Sequence, residues 1–90
     1  GPMQLNEAVS LRLTELLREK GMSQYELFRK SGVPKSTIHN VMNCAYDSVK
    51  LRILHEMCQG LEIDLCEFFA SPVLPSGRSG DFILRRISAS

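Results

Sequence analysis

Residues 30–40 read KSGVPKSTIHN, and this stretch decides the architecture. A helical run ends at Gly32-Val33-Pro34, and another begins at once with Lys35-Ser36-Thr37-Ile38-His39-Asn40. Glycine supplies the left-handed exit of the first helix. Proline is accepted in the first turn of the second, because its missing N–H would have no partner there anyway. The second helix then places Ile38, Val41 and Met42 on one stripe, at helical spacing. Its other face carries Lys35, Ser36, His39, Asn40 and Asn43. A helix that only filled a core would not need that polar row.

Outward from the break, each flank reads as helix. Ser23-x-x-Glu26 is a capping box, with Met22 and Leu27 placed as its hydrophobic staple, so a helix runs to about Ser31. Before it, Val9, Leu13, Leu16 and Leu17 recur at helical spacing over residues 6–20, and Gly21 ends the run. After it, residues 43–47 form a loop holding Ala45 and Tyr46. A fourth helix is expected over residues 48–61, with Leu51, Ile53, Leu54, Met57, Cys58 and Leu61 apolar. Asp64-x-x-Glu67 is a second capping box, stapled by Ile63 and Phe68, and opens a short fifth helix over residues 65–70. The chain therefore reads as all-α: five short helices and a tail.

Composition sets the scale. Ninety residues with 43% apolar content make one small domain with a single modest core. Trp is absent and Phe and Tyr are few, so that core is mostly Leu, Ile, Val and Met. Gly1-Pro2 before Met3 reads as a cleavage scar. No run approaches the ~20 apolar residues of a membrane span, and a cytoplasmic protein is expected. Cys44, Cys58 and Cys66 lack framework spacing, which argues for a reducing compartment. His55-x-x-Cys58 could present two metal ligands on one helical face, but no further His or Cys pair completes a site. Cys58 and Cys66 read instead as small core fillers. No cofactor is expected.

The net charge is only +1, yet its distribution is uneven. Residues 12–52 hold eight bases against four acids, whereas residues 53–71 hold four acids and no Lys or Arg. A domain with a basic end can present that end to a polyanion.

Two short helices joined by a tight glycine turn make a helix-turn-helix. The second helix, about residues 34–43, projects as a ridge that fits the major groove of B-DNA, where every base pair shows its own donor and acceptor pattern. Lys35 and Ser36 stand at its start, with His39 and Asn40 one turn on. Asn40 has the amide needed to grip adenine through N6 and N7. Thr37 is placed for a phosphate or a thymine methyl, and Asn43 for a phosphate. Gln24, in the first turn of the preceding helix, can bind a phosphate beside free backbone N–H groups. Tyr46 reads either as a stacking partner for the sugar–phosphate backbone or as packing over the core edge.

Residues 9–69 resemble the XRE family, the Cro and phage-repressor type of helix-turn-helix domain. The resemblance rests on Ser23-Gln24-x-Glu26-Leu27, Ser31-Gly32-Val33-Pro34-Lys35-Ser36-Thr37-Ile38, Asn43, and Leu61-x-Ile63-Asp64-Leu65-x-Glu67-Phe68-Phe69, in that order and spacing. It implies a compact five-helix, lambda-repressor-like domain that binds duplex DNA in a sequence-specific way, usually as a dimer, and regulates transcription. It places phosphate contact on Gln24 and base readout on Lys35, Ser36, His39 and Asn40. The chain departs from the pattern at four places. Many members have Ala at Phe28 and Glu at Met42, the latter paired with an Arg on the first helix. Here Arg12 lacks that Glu, so it is expected to be free for a phosphate. Gly often follows Asn43, where this chain has Cys44. The loop Ala45-Tyr46-Asp47 is less basic than usual.

The domain plan is a scar at residues 1–2, the helix-turn-helix domain at residues 3–71, and a linker and tail at residues 72–90. Residues 81–88 are apolar and basic and read either as a segment that pairs with a second copy or a partner, or as a frayed end. Arg85-Arg86-Ile87-Ser88 has the form of a basic phosphorylation motif. The expected function is a DNA-binding transcriptional regulator, the repressor-type homodimer the family implies, with dimer contacts from the fifth helix and residues 81–88. The alternative is an antitoxin-like interaction module that keeps the fold and holds a partner protein through residues 82–87. An enzyme is not expected, because no paired carboxylates, nucleophile arrangement or phosphate-cradling glycine loop is present. Neither a small-molecule ligand nor a membrane is expected as a partner.

Overall fold

The computed structural model describes residues 4–70. Over them the chain is all-α, with α1 (Leu5–Lys20), α2 (Gln24–Ser31), α3 (Lys35–Met42), α4 (Leu51–Leu61) and α5 (Leu65–Phe69) in order. The readings made for residues 1–2 and 72–90 lie outside the described residues.

The apolar stripes meet in one core. It takes Val9, Leu13, Leu16 and Leu17 from α1, Leu27 from α2, Ile38 and Val41 from α3, Leu54, Met57, Cys58 and Leu61 from α4, and Phe68 and Phe69 from α5. The two phenylalanines are fully buried and stack edge to face, with ring centroids 5.0 Å apart. Each fully buried side chain of this size stabilises the fold by roughly 1.5–3 kcal/mol relative to leaving it in water.

Local chemistry sets the helix boundaries. The Ser23 hydroxyl accepts from the Glu26 N–H, and the Glu26 carboxylate accepts from the Ser23 N–H, so the expected capping box is formed. At α5 only half of one forms: the Asp64 carboxylate accepts from the Glu67 N–H at 2.7 Å. α4 begins at Leu51 rather than at residue 48. Lys50 holds the N-cap position in extended conformation, without a side-chain cap, while Val49 packs against the core. Leu51 shares the stripe of Leu54 and Cys58, yet it is exposed.

Three helices end in the same hydrogen-bonded motif. At the end of α1 the Gly21 N–H donates to Arg18 O and the Met22 N–H to Leu17 O. After α3 Cys44 donates to Val41 O and Ala45 to Asn40 O, and after α4 Glu62 donates to Gln59 O and Ile63 to Cys58 O. This Schellman pattern needs a left-handed residue. Gly21 takes it with φ 59°, but Cys44 takes it at 55° and Glu62 at 62°. A side chain there is crowded against the backbone, which glycine avoids. Cys44→Gly is therefore expected to raise stability by about 1 kcal/mol, after allowing for the added freedom of the unfolded chain. Urea unfolding of the two proteins checks this, and a variant no more stable than the parent would contradict it.

The cysteines divide. Cys58 is buried, as expected of a core filler, and desolvation, then the nearby charge of Asp64, pushes its thiol up to about 11. Cys66 is exposed, so it fills no core. His55 is exposed while Cys58 is buried, so the His55-x-x-Cys58 pair does not share one environment. Among the described residues no cluster of His, Cys, Asp and Glu is placed to hold a metal. No helix among them is long and apolar enough to cross a membrane.

Candidate nucleic-acid interface

The turn before α3 is built to aim it. Gly32 adopts φ 78°, and its N–H donates to Phe28 O at 2.9 Å. The next residue, Val33, is fully buried, and its N–H donates to the Ser31 hydroxyl at 3.1 Å. Pro34 then stands at the N-cap in extended conformation, and its carbonyl accepts from the Ile38 N–H at 3.1 Å. One buried side chain between a left-handed residue and a proline leaves the turn little freedom.

Burying Ile38 and Val41 pins α3 by one face, so the opposite face is turned outward. Lys35, Ser36 and His39 are exposed there, with Asn43 exposed just past the helix end. Asn40 and Thr37 are half-buried at the edges of that face. Five of the polar residues expected on this surface, Lys35, Ser36, His39, Asn40 and Asn43, thus come together on one helix and its end. Gln24 is half-buried at the first position of α2. Its neighbour Tyr25 lies beside the start of α3, with Lys35 Nζ 5.9 Å from the Tyr25 ring centroid. The Lys35 side chain thus reaches the first turn of α2.

The exposed side chains are partly ordered by one another. The Asn40 amide nitrogen donates to the Tyr46 hydroxyl at 3.0 Å. The Asn43 amide nitrogen donates to His39 O at 3.0 Å and lies 2.9 Å from His39 Nε2. Tyr46 is itself anchored, because its carbonyl accepts from the Asn6 side chain of α1 at 2.8 Å. Between the end of α3 and the start of α4 runs an open groove of about 680 Å³, whose lining includes Thr37, Tyr46, Lys50 and Arg52.

Arg12 does not reach this surface. It is 7% exposed, and its guanidinium is enclosed by protein acceptors. Nε donates to Phe68 O, Nη2 donates to Glu67 O at 2.8 Å, and Nη1 pairs with the Glu15 carboxylate. The expectation of a free Arg12 fails because α5, rather than α3, supplies the missing partner. The carbonyls at the end of α5 are the negative end of a helix and suit a cation. The residue in the place of the usual Glu, Met42, is held to α1 by another route: its carbonyl accepts from the Ser10 hydroxyl at 2.6 Å.

A family model for the Cro/C1-type helix-turn-helix DNA-binding domain matches residues 12–71. The chain belongs to that family. No curated protein and no solved structure matches it. Set against the family pattern, this Cro/C1-type domain keeps the glycine turn and the capped second helix. Its departures now have locations. Phe28 is exposed and lies 6.1 Å from Tyr25, ring to ring. Cys44 occupies the left-handed position that glycine often takes.

Several contributors escaped the sequence reading. Asn6 and Ser10 tie α1 to the following loop and to the end of α3, and nothing local in their spacing marks them. For Arg12 a signal existed. It lies three residues after Val9 and four before Leu16, on the stripe that faces the core.

Proposed function

We propose that this Cro/C1-type domain is a sequence-specific regulator of transcription that lays α3 in the major groove of duplex DNA. The observation that carries the reading is the outward face of α3, polar from Lys35 to Asn43 and opposed by buried Ile38 and Val41. Lys35, Ser36, His39 and Asn40 meet base edges. Gln24, Thr37 and Asn43 meet phosphates, and Arg12 takes no part. A single helix-turn-helix reads few base pairs, so the protein acts as a homodimer on half-sites ~34 Å apart.

Affinity measured against salt for the parent and two variants tests this reading. Lys35→Ala is expected to weaken binding about 10-fold and to relax the preference at one base pair. Asn40→Ala is expected to lose about 1–3 kcal/mol of discrimination at one base pair and to leave the slope of log affinity against log salt unchanged. If neither variant differs from the parent on specific DNA, α3 is not the reader.

A further inference from the structure

We propose that Tyr46 is a positioning residue for base readout, acting through Asn40; this rests on the reading of α3 as the DNA reader. The juxtaposition is direct. Asn40 donates from its amide nitrogen to the Tyr46 hydroxyl at 3.0 Å, across six residues of sequence. Asn6 is 9% exposed on α1, and its side chain grips the Tyr46 carbonyl at 2.8 Å. The left-handed turn at Cys44 brings the chain round between them. A chain of contacts thus runs from a buried side chain, through the loop, to a half-buried amide on the outward face of α3.

The chemistry gives that contact a use. An amide can hold adenine only if its oxygen and one N–H face the base together. An unrestrained asparagine can present either end, and half of its rotations put donor against donor. The amide nitrogen carries two hydrogens. The contact to Tyr46 holds the amide in one plane, and with its nitrogen toward the hydroxyl the second hydrogen and Oδ1 stay available as a pair. The arrangement is set before DNA arrives, so less rotational freedom is lost on binding. Tyr46 is itself an exposed residue.

Tyr46→Phe removes the hydroxyl and keeps the ring, so the fold should melt as the parent does. On a duplex selected by the parent protein, affinities are measured for a panel of single-base substitutions with the parent, Asn40→Ala, Tyr46→Phe and the double variant. The expected result is a loss of about 3- to 10-fold for Tyr46→Phe, with relaxed preference at the same base pair that Asn40→Ala relaxes. The double variant should bind no more weakly than Asn40→Ala alone, since the two residues act as one unit. A Tyr46→Phe protein with the parent's affinity and profile would overturn the proposal while leaving α3 as reader. A uniform loss across all sequences, additive with Asn40→Ala, would make Tyr46 a phosphate contact and overturn it too. If Asn40→Ala itself changes nothing, readout by Asn40 falls, and this proposal falls with it.

Discussion

Arg12→Ala is expected to destabilise the domain by about 3–5 kcal/mol, the loss seen when one partner of a buried charged cluster is removed. For a domain whose whole stability is of order 5–15 kcal/mol, that is a large fraction. The reason lies in what remains. The Glu67 and Phe68 carbonyls and the Glu15 carboxylate are turned toward the guanidinium. Removing the guanidinium takes a donor from each of these groups and leaves space where its fork lay. Arg12→Lys should recover only part of the loss, because an ammonium on a flexible stem cannot match a planar fork reaching three acceptors. Urea unfolding of the three proteins gives the comparison. A loss under 1 kcal/mol for Arg12→Ala would return Arg12 to the pool of surface cations. The same variants separate structure from binding: the folded fraction of Arg12→Ala should keep the parent's salt slope for DNA, as a phosphate contact would not.

Gly60→Val is expected to cost roughly 3 kcal/mol through overpacking. Gly60 lies in α4 where α2 crosses it closely. A Cβ at Gly60 would sit 2.7 Å from Ser31 Cβ and 3.0 Å from the Ser31 Cα and N. The obstruction is backbone and a Cβ, with no long side chain to swing away, so α2 and α4 must separate. Gly60→Ala is the sharper test of sign. Helix propensity favours alanine over glycine by about 1 kcal/mol, and the clash is expected to outweigh that gain. A more stable Gly60→Ala protein would show that the two helices part easily. Ser31 ends α2 immediately before the turn that aims α3, so the Val variant should also weaken DNA binding by disturbing α3.

These positions show which parts of the molecule are legible in sequence. The turn at Gly32-Val33-Pro34, the Ser23–Glu26 box and the Ile38–Val41 stripe are local, and each residue states its requirement within a few neighbours. Lys35, Ser36, His39, Asn40 and Asn43 then share a face by helical geometry alone. The rest depends on contacts between distant residues. Nothing beside Gly60 says that Ser31 lies against it, since a glycine within a helix is compatible with many neighbours. Arg12 shows its place on the α1 stripe, but the carbonyls that receive it come from more than fifty residues away. Leu51 has the spacing of a core residue, and only the packing reveals that its side chain is exposed. Cys44 shows that a left-handed helix end can be built without the glycine that usually marks it. Asn40 was readable as a candidate; its tie to Tyr46 required the loop's path.

The claim that α3 reads base edges is tested most directly by in-vitro selection from random duplex DNA with the full chain, at roughly physiological salt. The account predicts an enriched two-fold symmetric site, with half-sites about one helical turn apart and with single-base preferences that change on substituting Lys35, Ser36, His39 or Asn40. Recovery of no sequence above the starting pool, with binding that tracks only duplex charge, would contradict it.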